Sequence, residues 1–136
     1  MTPSDPESPD TPYVKLGGGA PIRALVERFY DAMDAHEPAL AALHLCEGGK
    51  VSRGARDRFA SFLIGWLGGP DDYVRTHGHP RLRLRHARVP VDTAMRDAWL
   101  RCMAQALDHD EVPPDVRVYL GGRLAEVADF LRNRPG

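Results

Sequence analysis

The sequence has 136 residues, of which 43% are hydrophobic and 27% are charged, and its formal net charge at pH 7 is −1. This length suits a single domain, and the near-neutral charge gives no electrostatic basis for binding nucleic acid or an anionic membrane. No apolar run approaches the ~20 residues of a membrane span, and the N-terminus lacks the apolar core of a signal peptide.

The first part of the chain divides into a polar tail and a helix. Residues 1–12 are rich in Pro, Ser, Asp and Thr and have no apolar anchor, so we expect a disordered tail before a domain that spans residues 13–132. The first helix is predicted to begin near Pro21, which suits a first helical turn, and to be interrupted by the HEP run at 36–38. Its apolar stripe has helical spacing and consists of Ile22, Leu25, Val26, Phe29, Tyr30 and Met33.

A second helix is predicted after a less regular segment. Residues 39–45 could form a short helical turn, and residues 46–50 have the composition of a loop. Ser52 is a candidate N-cap for a helix that runs to about Leu67. The run GGP at 68–70 then ends this helix, because glycine and proline are typical of helix C-termini.

Two further helices complete the pattern. Asp92 or Thr93 opens the third, the run PPD at 113–115 opens the last, and residues 133–136 are expected to be a frayed end. Residues 81–85 read RLRLR, an alternation that is also typical of a half-buried strand, although no partner strand is apparent. Four amphipathic helices predict an all-α domain in which helices pack on helices.

The segment between the second and third helices has the most distinctive pattern. It reads GGPDDYVRTHGHPRLRLRH from Gly68 to His86, and the third helix contains RDAWLRCM from Arg96 to Met103. These runs, with the first-helix run GGGAPIRALVERFYDAM, resemble the group II truncated haemoglobins. In that family GGPxxYxxxxGHPxLRxRH and RDxWLxxM carry the haem ligand and a pocket tryptophan. The resemblance implies a truncated globin fold, a two-over-two helical sandwich that binds haem b.

The resemblance places the iron ligand at His86, whose Nε2 would bind iron while its other ring nitrogen donates to a carbonyl. The pattern of residues alone does not choose among the six histidines. His79 also matches the motif and is expected to be structural. Arg83, Arg85 and Tyr73 match motif positions too, and we expect them to contact the haem propionates, because guanidinium matches carboxylate geometry. A solvated basic face is the alternative for the arginines.

The resemblance also implies the hydrogen-bond donors on the ligand side of the haem. Tyr30 and Trp99 match pocket residues of the family, although by spacing alone both would be ordinary core residues. Ala55 falls where most animal globins carry a distal histidine, so no side-chain donor is expected there. Family members often have phenylalanine or tyrosine at the corner after the first helix; here either His44 or Leu43 faces the pocket. The expected apolar walls are Phe59, Phe62, Leu63, Val89 and Met95.

These residues imply a haem protein that binds O2, NO or other small or anionic ligands tightly. Donors preorganised in a dry pocket slow ligand release, which favours redox chemistry or sensing, such as NO dioxygenation or peroxide reduction, over oxygen transport. No flavin or nicotinamide domain is visible, so an external reductase is expected. The alternatives are a haem protein for sulfide or another anion, and a haem-free helical interaction module.

Cysteine usage and charge bear on compartment and partners. Cys46 and Cys102 are far apart, which excludes a C-x-x-C-H haem attachment, and a reducing cytoplasm is the simpler expectation. We expect no nucleic-acid or membrane partner, and either a monomer or a homodimer.

Overall fold

The computed structural model describes residues 11–82, 86 and 89–134. This described part of the chain contains seven helices and one small hairpin. In chain order the elements are α1 (Pro12–Leu16), α2 (Gly19–His36), α3 (Pro38–Ala41), β1 (Cys46–Glu47), β2 (Lys50–Val51), α4 (Arg53–Trp66), α5 (Asp72–His77), α6 (Thr93–Leu107) and α7 (Pro114–Phe130).

Both ends of the described chain are more ordered than composition predicts. Thr11 and Pro12, which composition places in the tail, begin α1: Thr11 Oγ1 accepts a hydrogen bond from the Val14 N–H at 3.2 Å, as N-cap residues do. At the other end, the backbone N–H groups of Asn133 and Arg134 both donate to the Val91 carbonyl. Residues 1–10 and 135–136 lie outside the described residues, so disorder there stays a prediction.

Helix α2 forms where the apolar stripe predicts it, and the whole stripe is buried. It begins at Gly19 rather than near Pro21, because Gly18 has a positive φ of 98° and turns the chain at the helix start. It ends at His36, and Pro38 then occupies the first turn of α3, a position that proline tolerates because its missing N–H would have no helical partner there.

Polar side chains cap α4 and α6 as predicted. Ser52 Oγ accepts from the Ala55 N–H at 3.1 Å, and Asp92 Oδ1 accepts from the Met95 N–H at 2.8 Å. Each bond satisfies one of the N–H groups that a helix N-terminus leaves without a helical partner.

The prediction of a loop at residues 46–50 is wrong in part. β1 pairs antiparallel with β2, and Cys46 faces Val51. Gly48 and Gly49 form the turn with φ values of 61° and 80°, as a tight hairpin turn requires. Strands of two residues are too short to show an alternating apolar pattern, so only the glycine pair could have indicated the hairpin.

The strand alternative for residues 81–85 stays a prediction. The His86 N–H donates to the Leu82 carbonyl at 3.0 Å. Arg83, Leu84 and Arg85 themselves lie outside the described residues.

The GGP run has a packing role. Tyr13 of α1 donates its N–H to the Leu67 carbonyl at 3.0 Å, at the end of α4. A Cβ on Gly69 would lie 2.5 Å from the Tyr13 ring, and Gly68 has a φ of 106°. Both positions therefore require glycine for α1 to pack closely against α4.

The four long helices, α2, α4, α6 and α7, form two pairs. α2 packs against α4 and also against α6, and α6 packs against α7, while the short α5 lies against α4. This arrangement confirms the all-α, two-over-two architecture. None of the helices in the described part of the chain has both the length and the apolar character needed to cross a bilayer.

Candidate functional site

A cavity of about 450 Å³ is bordered by α2, α4, α5, α6 and α7. Its size lies in the range of small-molecule and cofactor pockets, and its lining is mostly apolar and aromatic with a few polar groups, as such pockets usually are. The predicted site residues that line it are Tyr30, His44, Phe59, Phe62, Tyr73, His86, Val89, Met95 and Trp99.

Leu63, a predicted wall residue, and Ala55, the predicted distal position, are not among the residues that line this cavity. Leu63 is buried in the core between the helices, and Ala55 packs against that core. On α4 the cavity side is formed by Phe59, Phe62 and Trp66, three residues at helical spacing. Leu63 is adjacent to Phe62 in sequence and therefore points about 100° away around the helix.

The two candidate propionate-binding arginines, Arg83 and Arg85, lie outside the described residues. Arg81, just before them, is exposed, and its N–H donates to His79 Nδ1 at 3.1 Å. His79 therefore holds a local backbone turn, while Tyr73 is buried and lines the cavity.

His86 has the environment of a metal-binding histidine. Its Nδ1 lies 2.7 Å from the Leu82 carbonyl oxygen. A carbonyl only accepts hydrogen bonds, so Nδ1 carries the proton and Nε2 of the neutral ring keeps a free lone pair. Backbone carbonyls fix the tautomer and orientation of metal-binding histidines in this way.

Tyr30 supplies a protonated hydroxyl at the cavity. The residue is 5% exposed, and this burial raises the pKa of the Tyr30 phenol well above its usual range, because desolvation disfavours the phenolate. The phenol is therefore a protonated hydrogen-bond donor at neutral pH. Its ring packs edge-on against Phe29, His44 and Phe59, with centroid distances of 4.9, 5.6 and 5.9 Å.

Trp99 belongs to the same aromatic group. Its ring centroid lies 5.0 Å from that of Phe29 and 6.3 Å from that of Phe59, both in edge-on geometry. These contacts restrain the indole, whose N–H is a donor only. The aromatic contacts continue from Phe59 through Phe62 to Tyr73, so one connected set of rings joins the donors on α2 and α6 to α5.

The corner after α3 presents both candidate residues to the cavity, since Leu43 and His44 each line it. His44 Nδ1 lies 3.0 Å from the Leu40 carbonyl oxygen and therefore carries a proton. Burial lowers the pKa of His44 below its ordinary value, because desolvation disfavours the charged ring. At neutral pH His44 thus offers an acceptor at Nε2, and it becomes a donor at both nitrogens only in acid.

Sequence reasoning missed a buried arginine behind Tyr30. Arg56 donates to Glu27, Asp31 and Asp34 and to the Val51 carbonyl. Its guanidinium carbon lies 5.7 Å from the centre of the Tyr30 ring, within cation–π distance. Arg56 therefore joins α4 to α2 directly behind the Tyr30 side chain. The sequence could have indicated this contact, because Arg56 follows the Ser52 cap by four residues and α2 carries three acidic residues.

Further lining residues were also missed. Arg58 lines the cavity from the exposed side of α4, and Arg96 lines it from α6 with its guanidinium bonded to Asp97 and Asp129. The last helix contributes Leu124, Val127 and Ala128, and its C-cap contributes Leu131. The spacing of these four residues predicts that they share one helical face. It does not predict that this face lines the cavity.

These residues fit a haem. The cavity combines an apolar and aromatic lining with two histidines, His44 and His86, whose Nδ1 atoms each lie against a backbone carbonyl and leave Nε2 with a lone pair, and cationic side chains border it. A neutral imidazole is one of the axial ligands that proteins supply to haem iron, and the polarity and donors of the pocket tune ligand binding.

Comparisons with known proteins agree with this site. The model of the bacterial-like globin family matches residues 11–133. The chain is 34% identical over 128 residues to group 2 truncated hemoglobin YjbI from Bacillus subtilis (strain 168), an alignment that covers 94% of this chain and 92% of that protein.

Solved structures of globins superpose closely on the chain. A cold-adapted truncated hemoglobin from the Antarctic marine bacterium Pseudoalteromonas haloplanktis TAC125 is 39% identical with a TM-score of 0.84, covering 92% of this chain and 99% of that one. The truncated oxygen-avid haemoglobin from Bacillus subtilis is 34% identical with a TM-score of 0.80, covering 91% and 100%. The chain therefore belongs to the bacterial-like globin family and, within it, to the group II truncated haemoglobins.

Proposed function

We propose that this protein binds haem b in the cavity, with His86 Nε2 as the axial ligand. The observation that carries the proposal is the 2.7 Å contact between His86 Nδ1 and the Leu82 carbonyl oxygen, in a histidine that lines the cavity. His44 has a similar contact, but only His86 stands at the ligand position of the family motif. Membership of the globin family, whose members bind haem and small gaseous ligands, supports the same conclusion. When bound, the haem supplies an iron that takes up O2, NO and other small ligands and exchanges electrons.

The residues of this chain suit tight ligand binding. The Tyr30 hydroxyl and the Trp99 N–H are donors held by ring packing, so they need little reorganisation to meet a ligand that gains negative charge. The Phe59 and Phe62 rings line the same cavity, and hydrogen bonds are electrostatically stronger in apolar surroundings than in water. That one similar protein is described as oxygen-avid accords with this reasoning.

Slow release favours redox chemistry or sensing over oxygen transport. NO dioxygenation and peroxide reduction are the candidate reactions, with Tyr30, Trp99 and His44 as the residues that contact the ligand. Both reactions need an electron source, and we propose that an external cytoplasmic reductase supplies it. A sulfide- or anion-binding haem protein would use the same cavity and is distinguished by turnover with each ligand.

The test of this function is the absorption spectrum of the purified protein and of two histidine variants. We expect an intense Soret band in the wild type and the loss of the five-coordinate ferrous spectrum in His86→Ala. His79→Ala is the matched control, because His79 lies in the same motif yet contacts only local backbone, and it should keep the wild-type spectrum.

The opposite pattern would refute the assignment of the ligand. An unchanged ferrous spectrum in His86→Ala, with loss in His79→Ala, would move the axial ligand to His79. A wild-type protein that takes up no haem during expression or reconstitution would favour the haem-free interaction module.

A further inference from the structure

Asn133, the only asparagine in the sequence, binds the segment that carries His86. Its Nδ2 donates to the His86 carbonyl and to the Val89 carbonyl, each at 2.9 Å. Its Oδ1 accepts from the Val91 N–H at 2.8 Å. A carboxamide has two N–H donors and one carbonyl acceptor, so this single side chain satisfies three backbone groups.

The backbone around Asn133 strengthens this connection. The N–H groups of Asn133 and Arg134 donate to the Val91 carbonyl at 2.8 and 3.1 Å. Arg132 donates to Thr93 Oγ1 at 3.2 Å, at the start of α6. Residues 132–134 therefore lie against the N-terminus of α6, and this position brings the Asn133 carboxamide to His86, Val89 and Val91.

His86 is thus held from two directions. Towards the N-terminus, its ring Nδ1 and its backbone N–H both bond to the Leu82 carbonyl, at 2.7 and 3.0 Å. Towards the C-terminus, its carbonyl accepts from the Val89 N–H at 3.0 Å and from Asn133 Nδ2. These bonds determine the position of the His86 backbone, and the position of the backbone determines where the imidazole reaches into the cavity.

We propose that Asn133 is a positioning residue for the axial ligand: its carboxamide fixes the backbone at His86, Val89 and Val91 and thereby the orientation and rigidity of the His86 imidazole on the iron. The inference rests on the proposed function, in which His86 is the ligand. Groups that orient a metal-binding histidine typically change metal affinity by about ten- to 100-fold when they are removed.

The chemistry of the side chain makes the inference specific. Asn133→Asp keeps an acceptor for the Val91 N–H and nearly the same shape. It replaces the two N–H donors by a carboxylate oxygen that faces the His86 and Val89 carbonyls, and acceptors facing each other repel. Asn133→Ala removes all three side-chain bonds, but both variants keep the backbone bond to Val91 that docks the chain end.

The first measurement compares these variants as haem-loaded proteins. The iron–histidine stretching band of the ligand-free ferrous form should shift or broaden in Asn133→Asp and Asn133→Ala. Transfer of haem to an excess of apomyoglobin should become at least about tenfold faster. Tyr119→Phe is the control, because Tyr119 is exposed on α7 and does not line the cavity, and both readouts should stay at the wild-type value.

The second measurement detaches the ligand from the chain. In His86→Gly loaded with haem and free imidazole, the axial ligand has no link to this backbone. Adding Asn133→Asp to this background should leave the iron–imidazole band unchanged, whereas a general change in the cavity would alter the band in both backgrounds and would overturn the inference.

The failures are distinguishable. Wild-type bands and haem-transfer rates in both Asn133 variants would overturn the positioning role while leaving haem binding by His86 intact. A wild-type protein without an iron–histidine band, or a His86→Gly variant that keeps one without imidazole, would overturn the proposed function and this inference together.

Discussion

Replacing Tyr30 by phenylalanine tests whether the cavity holds its ligand by a hydrogen bond. Tyr30 is 5% exposed, and its ring packs against Phe29, His44 and Phe59. Phenylalanine keeps the ring and these contacts, so Tyr30→Phe removes one hydroxyl and little else. Because burial raises the pKa of the phenol, the group that is removed is the neutral donor.

The size of the effect follows from where the donor lies. Hydrogen bonds to a charged or strongly polarised partner contribute about 1.5–3 kcal/mol, and the aromatic lining from Phe59 and Trp99 keeps water from replacing the lost bond. Since every ~1.4 kcal/mol is a factor of ten, oxygen dissociation from Tyr30→Phe should be faster by about ten- to 150-fold.

The assay is stopped-flow displacement of oxygen from the ferrous haem-loaded protein. Tyr119→Phe is the matched control, because Tyr119 is 53% exposed on α7 and is not part of the cavity lining; its rate should equal that of the wild type. Carbon monoxide, a much poorer hydrogen-bond acceptor than bound oxygen, should dissociate from Tyr30→Phe with a far smaller change.

Trp99→Phe should also speed oxygen release. The double variant should be non-additive, because two donors that share one ligand are coupled. Oxygen dissociation within about twofold of the wild type in both single variants would refute the reasoning. Equal acceleration for oxygen and carbon monoxide would show that the substitution changed the shape of the cavity rather than its hydrogen bonding.

Three other substitutions test separate features. Because burial lowers the pKa of His44, oxygen release from the wild type should slow as pH falls from about 7 to 5, where the ring becomes a cationic donor, and it should be flat in His44→Phe. The pKa of His44 is higher in the unfolded chain than in the folded one, so the free energy of unfolding decreases as pH falls below about 6.5. In thermal melts, His44→Phe should remove this part of the decrease in melting temperature at acid pH. Gly69→Ala places a Cβ 2.5 Å from the Tyr13 ring and should lower the free energy of unfolding by about 1–3 kcal/mol, measured by urea denaturation. Arg56→Leu leaves its carboxylate partners without their buried cation and should cost about 3 kcal/mol in the same assay, whereas Arg53→Leu, 61% exposed, should cost less than about 1 kcal/mol.

Much of the fold could be predicted from local spacing. The stripe on α2, the Ser52 cap and the Asp92 cap depend on residues within one or two turns of each other, and the structure has them close to where the sequence predicts. The hairpin at Cys46–Val51 was missed because two-residue strands have no period. The start of α2 was predicted two residues late, because the prediction used the preference of proline for the first helical turn and did not consider the turn at Gly18.

The candidate site was predicted through the motif and not through periodicity. The run from Gly68 to His86 singled out one histidine among six, and RDAWL singled out Trp99. Spacing alone treated Tyr30 and Trp99 as core residues. Of the two adjacent residues predicted as walls on α4, Phe62 lines the cavity, whereas Leu63 lies in the core.

The sequence by itself therefore determined the four long helices, the caps of α4 and α6, the glycines at the end of α4 and the histidine that resembles a haem ligand, because these depend on neighbours along the chain. Only the tertiary structure decided that Leu43 and His44 both reach the cavity, that Arg56 lies behind Tyr30, and that Asn133 binds the backbone at His86. Asn133 and His86 are 47 residues apart. The hydrogen bonds between such distant segments form only when the packing of α6 and α7 brings Asn133 close to His86. No local pattern in the sequence predicts this contact.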